Sequence, residues 1–258
     1  MHFSRLPDNT IWLCVMKLGA EKDIRAMRNC GWLTTQELQR NTRFRFDNDR
    51  ARDLMARWLT RNVLAEYTEQ TPQALIIERS EKGKPYLATL PKTLSADALH
   101  FNLSHTGDWV VMAIAKHCVG VDIEMTERKN DVLAIANNYF FGAELEELRS
   151  FPVNQQVQRF FDYWTLKEAY MKARGEGISL GLDNFGFQLA NNTINLQVKP
   201  KLKDDPSRWQ FACQTPAPNY RLALAHQNQQ PFNVIVERFW AGGERQQLAA
   251  NNQYQWQP

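Results

Sequence analysis

Three carboxylates of this chain fall where carboxylates are costly or grouped. Glu168 lies within "WTLKEAYMKARGEGISL" (164–180). An advance of about 100° per residue places it between Trp164, Val157 and Phe161, inside the apolar arc of its own helix. A lone carboxylate there normally protonates or acquires a cation. In "VGVDIE" (119–124), alternation puts Val119, Val121 and Ile123 on one strand face and Gly120, Asp122 and Glu124 on the other. Asp122 and Glu124 then project together, about 7 Å apart, and by themselves read as a solvated face. Joined by Glu168 they make an all-oxygen site for a hard cation, Mg²⁺ completed by waters and phosphates, with Mn²⁺ accepted by the same donors. Gly120 leaves room for something bulky to come close.

Lys172 follows Glu168 by one helical turn. It reads either as a helix salt bridge or as an ammonium that neutralises charge during phosphoryl transfer. Lys167 points about 100° away from Glu168 and has no assigned role. On the helix that starts near Asn48, Arg50, Arg57 and Arg61 cluster on the solvated side. Arg52 falls within or beside the apolar arc of Leu54, Met55, Trp58 and Leu59. An arginine there wants a fixed anion, either a carboxylate of its own protein or a ligand phosphate. His105 sits in a turn after a strand, and Lys84 in a turn between Gly83 and Pro85; both are surface residues on local grounds. Glu144, at the start of a helical pattern, suits a helix N-terminus.

The elements that must position these residues are short strands interleaved with helices. Residues 11–16 read as a strand, and "LTTQELQR" (33–40) as a helix capped by Thr35 with Glu37 in its first turn. A longer helix spans about Asn48 to Tyr67. Then "LHFNLS", "WVVMAIA" and "CVGVDIE" form a meander with tight turns. Residues 131–149 and 155–174 are helical in pattern, the second ending at Gly175. A hairpin at 185–198 and three strands, "WQFAC", "YRLALAH" and "FNVIVERFW", complete an α+β class. The Gln- and Asn-rich end, 244–258, reads as a mobile tail.

The 258 residues suffice for a sizeable core, and 43% of them are hydrophobic, so the chain is globular. A net charge of +3 excludes a duplex-coating nucleic-acid binder but allows a basic patch for an acidic partner. Four scattered cysteines, with no CxxC pair, fit reduced thiols in the cytoplasm. The apolar run "IWLCVM" is too short to span a membrane and carries no cleavage pattern after it.

Three stretches together resemble a known family. "WTLKEAYMK" (164–172) is similar to the W-x-x-K-E-A/S-x-x-K signature of Sfp-type 4′-phosphopantetheinyl transferases, "GVDIE" (120–124) to their G-I/V-D-I/V-E motif, and "FNLSHTGDW" (101–109) to their F-N-I/L-S-H-S/T block. They occur in family order, and the turn "KGKP" (82–85) precedes them. The resemblance implies two similar lobes with pseudo-twofold symmetry, 1–117 and 118–243, in a monomer with the active site in the cleft between them. It implies transfer of the 4′-phosphopantetheine arm from coenzyme A to a serine of an acyl, peptidyl or related carrier protein, leaving adenosine 3′,5′-bisphosphate. Asp122, Glu124 and Glu168 would hold Mg²⁺ on the coenzyme A pyrophosphate. Glu168 or a metal-bound water would deprotonate the serine, and Lys172 would stabilise the phosphates. Ser104 and His105 would contact the nucleotide end, with Gly83, Lys84 and Pro85 on its other side. The family binds the 3′-phosphate region with basic residues of the first lobe, and Arg52 is a candidate for that contact. The rival readings are a pyrophosphohydrolase using the same acids, and a binder without transfer activity.

Overall fold

A computed structural model describes residues 6–19, 21–31, 33–90, 99–127, 131–190, 193–240 and 243–248. In chain order the elements are β1 (Thr10–Lys17), α1 (Glu21–Arg28), α2 (Thr35–Thr42), α3 (Asp47–Thr68), β2 (Ile77–Arg79), β3 (Pro85–Leu87), β4 (His100–Thr106), β5 (Trp109–Ala115) and β6 (Val119–Met125). There follow α4 (Val132–Tyr139), α5 (Gly142–Ser150), α6 (Val153–Arg174), β7 (Phe185–Ala190), β8 (Thr193–Val198), β9 (Trp209–Gln214), β10 (Tyr220–Gln227), β11 (Asn233–Phe239) and β12 (Arg245–Leu248). The class is α+β.

Strand alternation builds the layers. In β1, Trp12, Cys14 and Met16 point to one face and join Met55, Trp58, Leu59 and Val63 of α3 in one core. Ile11, Leu13 and Val15 point to the other face and meet Val119, Val121 and Ile123 of β6 and Leu222 and Leu224 of β10 in a second core. The remaining face of β10, Ala223 and Ala225, packs with Phe161, Leu166, Ala169 and Tyr170 of α6 in a third. The succession is therefore helix, sheet, sheet, helix. The first sheet has the order β12-β11-β1-β5-β4 and the second β6-β10-β9.

The sheets also meet edge to edge, through side chains. Asn102, Ser104 and Thr106 alternate along β4, and their oxygens accept hydrogen bonds from the amides of Val121, Ile123 and Met125 on β6 at 3.1, 3.3 and 3.4 Å. On this edge of β6, side chains of β4 complete what a backbone ladder would otherwise satisfy.

Several sequence readings need correction. Helix α2 is capped by Thr34, not Thr35: Thr34 is extended at φ −70, and its side chain and Glu37 form a capping box. The segment 131–149 is two helices, because Phe140 and Phe141 are both extended. The strand at 233–239, placed by position in the second lobe, pairs in parallel with β1 and belongs to the first sheet. Residues 245–248, expected in a mobile tail, pair with β11, while 249–258 lie outside the described residues. Arg61 is not solvated: it is 4% exposed and bonds Glu37 and the carbonyls of Pro72 and Leu75, and Arg57 bonds Asp53. A helical wheel shows one helix only, and these partners lie outside it or on the buried edge of α3.

Candidate active site

Helix α6 crosses the face of β6 that carries Gly120, Asp122 and Glu124. Gly120 permits this approach. A Cβ there would lie 1.9 Å from the carbonyl oxygen of Ala169 and 2.6 Å from the amide of Ala173. The bulky neighbour is thus the protein's own helix. Its closeness brings Glu168 and Lys172 to the two strand carboxylates.

Asp122 is 3% exposed. Its Oδ1 accepts hydrogen bonds from Lys172 Nζ at 2.6 Å and Ser104 Oγ at 2.8 Å. Its Oδ2 is buried without a hydrogen-bond partner among the described residues. Glu124 is partly buried and accepts from Thr106 Oγ1 at 3.4 Å. The Glu168 carboxyl is pushed up to about 7, first by burial, then by the negative charge of Asp122, with Glu124 adding to it and Lys172 opposing. The three acids are close enough to repel one another, and Lys172 is the cation that relieves this. Its i,i+4 partner is not Glu168 alone, as a helix salt bridge would have it; its direct ion pair is across to β6.

These residues fit a divalent cation in kind. A buried carboxylate oxygen lacking a donor is an unsatisfied acceptor, and clustered carboxylates favour a hard ion. Among the described residues, however, no three acidic or ligating side chains converge into a ready metal cage. A cation here would need further oxygens from water or phosphate, which is how Mg²⁺ is usually held.

The remaining expected residues divide. His105, near the end of β4, has its pKa lowered by desolvation and then by the charges of Arg52 and Lys172. Arg52 is an ion-paired residue: Nη2 bonds Asp49, and Nη1 donates to the carbonyl of Gly107 at 2.8 Å. Of its two open readings, the carboxylate partner is present. Lys84, expected beside the nucleotide end, donates its Nζ to the carbonyl of Ala173 at 2.6 Å, satisfying an orphan carbonyl in the last turn of α6. Gly83 donates to Ser80 O in the same turn, and Pro85 opens β3. Helix α6 then ends at Gly175 in the left-handed conformation, φ 71.

The role of Lys167 was left open by the sequence. Lys167 is 0% exposed and bonds Glu144 Oε2 at 2.8 Å and the carbonyls of Leu182 and Phe185 at 2.9 and 2.6 Å. Glu144 in turn accepts from the amides of Phe141 and Phe187. Every charge of this pair is satisfied, so it fixes the helix that presents Glu168 and offers no chemistry of its own. Ser104, expected from the resemblance at the nucleotide end, is a hub between β4, β6 and α6. The period-two polar pattern of Asn102, Ser104 and Thr106 was the signal available for it.

Among the described residues no helix is long and apolar enough to cross a membrane. Residues 118–225 match the 4′-phosphopantetheinyl transferase superfamily, and residues 21–117 match a 4′-phosphopantetheinyl transferase N-terminal family. The chain is 36% identical to the 4′-phosphopantetheinyl transferase psf-1 of Bacillus pumilus over 182 residues, 70% of this chain and 73% of that one. It is 30% identical to the 4′-phosphopantetheinyl transferase Sfp of Bacillus subtilis over 197 residues, 76% of this chain and 83% of that one. It is 35% identical to the 4′-phosphopantetheinyl transferase HetI of Nostoc over 148 residues, 57% of this chain and 61% of that one. It overlaps a Thermotoga maritima holo-[acyl-carrier-protein] synthase structure over 46% of this chain and 67% of that one at TM-score 0.36 and 19% identity, and no weight rests on that overlap. With both halves matched and relatives of this identity covered over most of their length, the chain belongs to the 4′-phosphopantetheinyl transferase superfamily.

Proposed function

We propose that this enzyme transfers the 4′-phosphopantetheine arm of coenzyme A to a serine of an apo carrier protein. The observation that supports this best is the meeting of Asp122 and Glu124 of β6 with Glu168 and Lys172 of α6 beside a buried, undonated carboxylate oxygen. In the reaction the serine Oγ attacks the phosphorus that carries pantetheine. The pyrophosphate P–O bond breaks, and adenosine 3′,5′-bisphosphate leaves. Glu168, itself or through a bound water, would take the serine proton. Asp122, Glu124 and Glu168 would hold Mg²⁺, or Mn²⁺, together with the pyrophosphate oxygens. Such an ion supplies Lewis-acid polarisation and charge neutralisation. Lys172 lies within the same cluster and can turn its ammonium to the phosphates.

The test is an incubation of enzyme, coenzyme A, Mg²⁺ and apo carrier protein, with intact mass read on the carrier. The expected result is a gain of one phosphopantetheine, lost in excess EDTA and restored by Mg²⁺. Cleavage of coenzyme A with an unmodified carrier would identify a pyrophosphohydrolase. Full transfer in chelator would remove the metal from the reading.

A further inference from the structure

Three ionisable side chains from three segments meet near the last turn of α6: Lys84 of the β2–β3 turn, His100 at the start of β4, and Cys118 just before β6. The Cys118 sulfur lies 3.9 Å from His100 Nδ1, within hydrogen-bonding reach for sulfur. It is also close enough to Lys84 for a thiolate there to support the ammonium, which burial otherwise weakens. An imidazole that takes the proton and a cation that steadies the anion are the surroundings in which thiols react, because the thiolate is the nucleophile. The other cysteines differ. Cys14 is 0% exposed, and burial pushes its thiol well above the usual range. Burial likewise pushes Cys213 up to about 11. Cys30 is partly exposed, as Cys118 is, but its sulfur has no hydrogen-bond partner among the described residues.

The place of this thiol couples it to α6. Cys118 packs against the core beneath that helix, and Gly120, two residues on, is where Ala169 and Ala173 press closest to β6. Lys84 Nζ holds the Ala173 carbonyl at 2.6 Å, and a Cβ at Gly175 would lie 3.0 Å from Lys84 Cδ. A group added to the Cys118 sulfur competes for this space, so Lys84 must leave its carbonyl and the end of α6 loses a tie. We propose that Cys118 is a modification site: with His100 as its base and Lys84 as its counter-ion, it exchanges with low-molecular-weight disulfides, and the adduct unseats the last turn of α6. The thiol proton passes to His100, and the thiolate attacks one sulfur of the disulfide. The old S–S bond breaks as the new one forms, and the released thiolate takes up a proton. Excess small thiol reverses the exchange. The site stands apart from the transfer chemistry proposed above and does not depend on it.

The full chain, without coenzyme A or carrier, is incubated with glutathione disulfide. Intact mass and peptide mapping follow the adduct, and hydrogen exchange follows the amides of residues 172–175, among them Gly175, which bonds the Met171 carbonyl. The expected product carries one glutathionyl group on Cys118, formed about tenfold faster than on Cys30 and slowed about tenfold in His100→Gln. Exchange at 172–175 should quicken in the adduct and return to its first rate in dithiothreitol. Modification of Cys30 before Cys118, or an unchanged rate in His100→Gln, overturns the site. An adduct on Cys118 with unaltered exchange at 172–175 overturns the unseating of α6. If His100→Gln does not fold, Lys84→Gln is expected to slow the reaction in its place, and an unchanged rate there overturns the cluster. In the carrier assay, transfer should fall with the fraction modified, while Cys118→Ser keeps its rate through the same treatment. A wild type that transfers nothing brings down the proposed function alone, and the adduct map still decides for or against Cys118.

Discussion

Arg52 donates to Asp49 on its own helix and to the Gly107 carbonyl in the β4–β5 turn, so it ties α3 to the edge of the site. Arg52→Ala removes both contacts, and leaves a partly exposed carboxylate and a carbonyl short of a donor. The expected cost is about 1–3 kcal/mol of stability. Transfer efficiency should fall equally with coenzyme A and with dephospho-coenzyme A, since neither protein contact involves the 3′-phosphate. A loss seen with coenzyme A only, at unchanged melting temperature, would show instead that the guanidinium grips that phosphate. At this scale the sequence is readable wherever one helix tells the whole story. Glu168 was anomalous against its own apolar arc, and it is indeed shifted by burial and by Asp122. Arg61 and Lys167 were not readable, because what makes them buried is Glu37, 24 residues away, and Glu144, on another helix. Charges look solvated until their partners are known.

Helix α6 can present Glu168 and Lys172 to β6 only because Gly120 has no side chain. Gly120→Ala would drive a methyl into the backbone of Ala169 and Ala173, and backbone cannot rotate away as a side chain can. The helix must lift, and the Lys172–Asp122 bond must lengthen with it. The expected loss is about 3 kcal/mol or more in chemical denaturation, together with near-complete loss of transfer. A variant within about 0.5 kcal/mol of wild type would mean that α6 does not seat on this strand. The elements themselves were largely legible, because period-two and period-3.6 patterns mark strands and helices directly. The helix predicted from Asn48 to Tyr67 is observed as Asp47–Thr68, and the stop at Gly175 is where the left-handed residue sits. The seam of Asn102, Ser104 and Thr106 against β6 was not legible. No local rule says which strand edge a polar side chain will complete.

Over the whole molecule, one group sets a pH limit. His226 is 0% exposed, with neither ring nitrogen hydrogen-bonded among the described residues, and it lies against His117 and Phe232. Burial, then the nearby His117 and His100, hold its pKa down at about 4. A folded-state pKa below that of the unfolded chain means that the unfolded chain binds the extra proton first. Stability is therefore full above the ordinary histidine value of 6.5 and is lost as pH falls from there toward about 4, by up to about 3 kcal/mol from this residue. Urea denaturation at both ends of that window should show a steeper loss in wild type than in His226→Leu. Equal slopes would mean that the ring protonates freely in the folded protein.

The parallel pairing of β11 with β1 has a consequence for how the protein is made. Thr10 stands opposite Asn233 and Met16 opposite Phe239, so neighbours in the sheet are separated by most of the chain. During synthesis β1 leaves the ribosome early and β11 late. In between, one side of β1 is an unpaired edge, flanked by side chains that are wholly buried in the finished protein, such as Ile11, Trp12 and Leu13. Edges of that kind recruit other chains. A chain stopped just after residue 231 contains every residue proposed here for catalysis, yet it should accumulate as aggregate. Supplying residues 232–248 as a separate peptide during refolding should recover soluble protein. The last strands contribute nothing to the chemistry, and they decide when the newborn chain becomes safe from its neighbours.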